Sequence, residues 1–159
     1  TEHSVRDPDF AGRVRSSFAR QAFMQFIGAE ITRLEAGHCE ITLPYRRELS
    51  QRMFFHGGIV GTLADTACGY AAYTLTDADA SILTVEYKLN IVAPGHGERL
   101  IARGGVVKAG RTLSICEAKV FVVKDGVEKL CAIATETLLP LADKPDNPGI
   151  SPKTDDTFQ

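Results

Sequence analysis

At 159 residues, 44% apolar and 24% charged, the chain has the size and balance of one domain with a real core. A net charge of −2 gives no electrostatic ground to expect a nucleic-acid or membrane-surface partner. Cys39, Cys68, Cys116 and Cys131 are widely spaced without a C-x-x-C, so neither a zinc ribbon nor a redox motif is suggested; with no signal peptide in view, reduced thiols in a cytoplasm are expected.

The first expected element is a helix over about residues 8–26. Asp7-Pro8 offers a cap and a first-turn proline, and Phe10, Val14 and Phe18 recur every fourth residue, with Phe23 and Phe26 continuing the theme. Residues 29–43 read as two short strands turning near Ala36-Gly37-His38, and a polar loop, 44–52, follows. A long small-residue helix comes next, beginning at about Gly57. Thr84 to Ile91 then alternates polar and apolar residues without exception, the mark of a half-buried strand that Pro94-Gly95 ends. Strands are expected over about 98–108 and 111–123, joined at Ala109-Gly110. Asp125-Gly126 signals a hairpin into a last strand, 127–139, expected at the sheet's centre. Residues 140–159, proline- and aspartate-rich and aperiodic, are expected to be a disordered tail to a single domain spanning 1–139.

This order implies an α+β fold: a strongly curved antiparallel sheet of five or six strands, the last four consecutively connected, wrapped around one long central helix. Gly61, Ala64, Ala67, Gly69, Ala71 and Ala72 would let the sheet approach that helix. The opposite sheet face keeps apolar positions that a short N-terminal helix covers poorly, and a second copy of the chain is a natural cover.

The stretch 57–75 is apolar enough to raise the membrane question, but Asp65 interrupts it and glycine, alanine and threonine replace leucine. His56-Gly57-Gly58 precedes it. If the glycines start the helix, their amides lack intrahelical partners and, with the helix dipole, offer a place for negative charge on oxygen. A glycine-rich turn into a tightly packed helix explains them equally well. Asp65 is costly on an apolar helix unless hydrogen-bonded, and Thr62 or Thr66 could satisfy it. It lies eight residues past Gly57, about 12 Å along one helix. One subunit cannot easily bring both to one carbon, whereas an antiparallel pair of helices across a two-fold axis can.

The segments FFHGGIVGTLADTACGYAAY, LTVEYKLNIVAPG and VVKAGRTLSICEAKVFVVKDG together resemble the hotdog-fold acyl-CoA thioesterases of the PaaI (phenylacetate-degradation) type, over most of residues 20–139. The resemblance implies hydrolysis of an acyl-CoA to acid and CoA by a homodimer or homotetramer, with no cofactor, coenzyme A being part of the substrate. It implies that the Gly57 amide, with Gly58 beside it, receives the thioester oxygen and that Asp65 of the partner is base or nucleophile. His56 would orient the site, and Thr84 matches a position that holds the water; an ordinary packing histidine and strand threonine are the alternatives. Ser50 stands where relatives carry an amide and Met53 where glycine is usual, so Gln51 is the residue that could supply the amide contact. Arg111, with Lys108 or Arg103, could meet the CoA phosphates. Phe23, Phe26, Met53, Phe54 and Tyr70 could line an acyl pocket without choosing the acyl group.

Hydratases of this fold pair an Asp with a His about five residues on, and here that position is Tyr70. No G-x-S-x-G occurs, and His3, His38 and His96 make no metal-ligand spacing. The rival from another class is a non-catalytic acyl-CoA sensor. Only some 25 residues precede the first strand, too few for a DNA-binding helix-turn-helix, and Asp65 is retained.

Overall fold

A computed structural model describes residues 3–146. Two short helices open it, α1 (Phe10–Arg20) and α2 (Ala22–Ile27), where one was expected. Gln21, extended at ψ 100°, breaks the helix and shifts its phase. Val14, Phe18, Met24 and Ile27 are therefore buried, while Phe23 and Phe26 turn out to solvent. The N-cap is Asp9, without a side-chain cap bond, rather than the expected Asp7; Asp7 accepts the Asp9 N–H just before the helix, and its carboxylate binds Arg13 Nε at 2.7 Å.

Gly37, at φ 76°, turns β1 (Glu30–Glu35) into β2 (His38–Pro44). The expected polar loop holds a 3₁₀ turn (Arg47–Leu49) and a tight hairpin of β3 (Ser50–Gln51) and β4 (Phe54–Phe55). The central helix α3 (Gly57–Tyr73) follows, then β5 (Ser81–Ile91), β6 (Arg99–Ala109), β7 (Ser114–Lys124) and β8 (Val127–Leu141).

The large sheet has six strands, all antiparallel, in the order β1-β2-β6-β7-β8-β5. Two expectations are corrected here. β5 pairs with β8 rather than with its successor, and β8 lies next to the edge while β6 and β7 hold the centre. The segment after β5 is a crossover: Val92 and Ala93 donate to Cys131 O on β8, and Glu98 donates to Val123 O on β7. It passes so close that a Cβ at Gly97 would sit 2.2 Å from Val123 O. The C-terminal boundary also moves, because Pro140 and Leu141 extend β8 opposite Ile82 and Ser81. The rest of the expected tail from 147 on lies outside the described residues.

The sheet curls around α3, whose Leu63, Ala64, Ala67, Cys68 and Ala71 have no solvent exposure. Closest approach depends on a glycine of the sheet: a Cβ at Gly104 would meet the Ala67 carbonyl oxygen at 2.5 Å. Gly69 does not serve this purpose, since a Cβ there would meet nothing within 4 Å. α1 and α2 do not cover the opposite sheet face. Instead α1 packs on α3, where Arg13 donates to Tyr73 O and Thr76 O and closes the helix's C-terminal end.

Candidate active site

α3 begins where its sequence forces free amides outward. The His56 carbonyl accepts from Ile59 and Val60, and His56 Nδ1 accepts the Gly58 N–H at 2.9 Å. Gly58 is thereby satisfied, and its expected share in an oxyanion site is corrected. The Gly57 N–H has no partner among the described residues and stands at the positive end of a 17-residue helix. With Nδ1 accepting, the imidazole proton is on Nε2, free to donate.

Two turns along α3, Asp65 is half-buried rather than sunk in the core. Neither helix threonine satisfies it: Thr62 donates to Gly58 O and Thr66 to Thr62 O. Its partner is Thr84 of β5, whose Oγ1 donates to Asp65 Oδ1 at 2.6 Å. Strict alternation would place Thr84 on the face of Glu86 and Lys88, away from the helix. A β-bulge between Thr84 and Glu86 reverses the phase, so Thr84 meets α3 while Tyr87 and Leu89 also lie against it at Gly61.

The same hydroxyl is 3.0 Å from Oε1 of Glu136, a β8 residue 1% exposed. Burial, then the neighbouring Asp65, push the Glu136 carboxyl up to about 9. The sequence reading missed Glu136. Its signal was present, since it shares an inward register with Ala134 and Leu138 in a strand of otherwise apolar inward positions.

Asp65 and Thr84 line a cleft of about 200 Å³ with Gly69, Tyr70, Ser17 and Gln21. The Tyr70 hydroxyl accepts from Gln21 Nε2 at 2.7 Å and is hydrogen-bonded to Ser17 Oγ at 3.1 Å. Burial pushes the Tyr70 phenol up to about 12, so it remains an O–H at neutral pH.

The other sequence candidates lie elsewhere on the protomer. Gly57 faces Ile91, at the opposite end of β5 from Thr84 and Asp65. Ser50 Oγ donates to Arg47 O, and Gln51 is exposed beside the Arg52-Met53 turn. Met53 is exposed, and Phe54 packs edge-on to His96 with ring centroids 5.6 Å apart. Of the five acyl-pocket candidates, only Tyr70 lines the Asp65 cleft within one chain. Arg111 and Lys108 have no ion-pair partner among the described residues. Arg103 is engaged, by Glu40 at 2.7 Å and by Glu128 through two bonds of 2.8 Å, which makes it a poor phosphate partner.

The histidines are less scattered than their spacing implied, for the His3 and His38 rings meet 5.9 Å apart. Among the described residues, no cluster of three His, Cys, Asp or Glu could hold a metal. All four cysteines are free and buried, and among the described residues no helix is long and apolar enough to cross a membrane.

Residues 54–129 match the model of the thioesterase superfamily. A protein of Saccharolobus solfataricus, named only provisionally as an esterase, is 32% identical over 111 residues, covering 69% of this chain and 76% of its own. The structure of a thioesterase family protein from Silicibacter pomeroyi superposes with a TM-score of 0.82 at 46% identity, over 84% of this chain and 98% of that one. The PaaI protein of the Escherichia coli phenylacetic acid degradation operon shares the fold, with a TM-score of 0.77 at 17% identity over 89% of this chain and 99% of its own.

Proposed function

Since the chain belongs to the thioesterase superfamily, we propose that it hydrolyses acyl-CoA thioesters to the free acid and CoA at a site shared by two copies. The observation that carries this reading is the Asp65 carboxylate, fixed by Thr84 at a cleft on the same helix whose first amide, Gly57, is unpartnered. Asp65 takes a proton from water as the water oxygen bonds to the thioester carbon. The carbonyl oxygen becomes an oxyanion held by the Gly57 N–H of the other copy. The C–S bond then breaks, and Asp65 returns its proton to the departing CoA thiolate. Direct attack by Asp65, through a mixed anhydride that water cleaves at the Asp65 carboxyl carbon, uses the same geometry; single turnover in heavy-oxygen water labels the Asp65 carboxylate only on that route.

Two copies are needed because Gly57 and Asp65 lie at opposite ends of β5. β5 is an edge strand, with exposed Leu83, Val85, Tyr87 and Ile91. Antiparallel pairing of two such edges about a two-fold axis sets the Thr84 end of one copy beside the Ile91 end of the other. Gln51, Met53 and Phe54 would then join the partner's Asp65 cleft as substrate-binding residues. Arg111 would meet the CoA phosphates, and His56 would offer its Nε2–H near the thioester.

Release of CoA thiol from a panel of acyl-CoAs tests the reading. Asp65→Asn should lower kcat about 10²-fold or more. An Asp65→Asn variant as fast as wild type would remove the carboxylate from the mechanism. A wild type that binds acyl-CoA and turns over no member of the panel would favour a sensor.

A further inference from the structure

Thr84 Oγ1 lies within hydrogen-bond reach of two carboxyl oxygens, 2.6 Å from Asp65 Oδ1 and 3.0 Å from Glu136 Oε1. A hydroxyl has one proton, so it donates to only one of them. The second contact holds only if the other carboxyl carries a proton and donates it to the threonine oxygen. Exposure decides which. Asp65 is half-buried and opens onto the cleft, whereas Glu136 is 1% exposed and its Oε2 is buried with no hydrogen-bond partner. An ionised carboxylate there would lack both water and a donor on that oxygen.

The groups facing Glu136 confirm the assignment. They are Asp65 and Cys68 from α3, Cys116 from β7 and Thr84 from β5, with no cation among them. Cys116 and burial push the Cys68 thiol upward, so it stays protonated. Thr84 is the one group of this set placed to support a negative charge on Glu136, but its single proton is held closer to Asp65 Oδ1 at 2.6 Å, and Asp65 opposes such a charge.

We propose that Glu136 is a positioning residue for the hydrolysis: as a neutral carboxylic acid it donates to Thr84 Oγ1, which commits the threonine proton to Asp65 Oδ1. The chain then has one direction, from Glu136 through Thr84 to Asp65. It locks the Asp65 rotamer and leaves Oδ2 for the reacting water. Glu136 itself touches no substrate. The catalytic part of this inference rests on Asp65 acting in thioester hydrolysis as proposed above; the protonation of Glu136 does not.

The experiment has a spectroscopic arm and a kinetic arm. Difference infrared spectra of wild type against Glu136→Gln should show a protonated-carboxyl C=O band at neutral pH that gives way to carboxylate bands in strong alkali. Absence of that band at neutral pH overturns the proposal, whatever the enzyme's activity. In acyl-CoA hydrolysis, Glu136→Gln keeps a neutral donor in place and should retain kcat within about threefold at neutral pH, without the alkaline fall of wild type. Glu136→Leu and Thr84→Val should each lower kcat about 10²-fold with little change in KM, as for a misplaced catalytic group. If Glu136→Gln falls as far as Glu136→Leu, the charged form is required and the proposal is wrong. A fully active Asp65→Asn with the infrared band intact would instead leave the proton chain standing and remove the hydrolytic reading.

Discussion

Gly57 and Gly58 are adjacent and chemically identical, yet only one keeps a free amide, because His56 Nδ1 takes the other. That asymmetry can be tested with a single substitution. Gly57 is the first helical residue, where proline is tolerated, and His56 before it (φ −58°, ψ 137°) already has the conformation that precedes proline. With the flexible Ile91 Cδ1, 3.0 Å from a Cβ at this position, giving way by a few tenths of an ångström, Gly57→Pro should fold normally by circular dichroism while kcat falls about 10²- to 10³-fold, the usual loss for one oxyanion donor. Glu136 makes a second prediction, on stability. Its folded carboxyl sits at about 9 against an ordinary 4.5, so the folded state binds its proton more tightly than the unfolded state. The stability this adds is full below pH 4.5 and is lost progressively as pH rises towards 9. Denaturant melts of wild type and Glu136→Gln should diverge in the variant's favour across that window; parallel curves would mean that Glu136 is ionised in the fold. Of these residues the sequence announced Asp65, Gly57 and His56, by a charge on an apolar helix and by glycines at its start. It concealed the Thr84–Asp65 contact, because alternation puts Thr84 on the wrong face and only the bulge turns it inward.

Hairpin β3–β4 carries strain that its residue types explain. Gln51 pairs with Phe54, so Arg52 and Met53 form a two-residue loop, with φ 49° and 69°. Such loops favour glycine, asparagine and aspartate, and a left-handed residue with a Cβ costs about 1–2 kcal/mol. Met53→Gly relieves this and adds unfolded-state freedom worth about 0.5–1 kcal/mol. A net gain of about 0.5 kcal/mol is expected in urea unfolding at fixed protein concentration; a loss would mean that Met53 contacts outweigh the turn. The strands of the large sheet were legible, β1, β2 and β5 to β8 falling close to where their patterns and turn residues placed them, but the short β3–β4 hairpin beside the expected polar loop was not. The helix break at Gln21 was not, since no proline or glycine marks it, and so Met24 and Ile27 rather than Phe23 and Phe26 face inward.

For the whole molecule, topology matters more than any one element. Consecutive strands would have made β5 an interior strand beside β6. The crossover over β8 and β7 instead leaves β5 at an edge, with Thr84 at one end and Ile91, against Gly57, at the other. Turn residues such as Pro94-Gly95 say that a strand stops, not which neighbour the chain chooses next, so strand order was beyond a local reading. The edge is long, exposed and apolar, the kind a folded protein has reason to cover. The proposed sharing of a site between copies rests on this edge and the length of α3, and subunit complementation tests it most directly. Asp65→Asn and Gly57→Pro chains, each nearly inactive alone, would be co-expressed and the acyl-CoA hydrolysis of the mixed oligomers measured. Sites made from one copy's Asp65 and the other's Gly57 should restore about a quarter of wild-type activity under random pairing. Mixed oligomers no more active than the two variants alone would contradict a shared site.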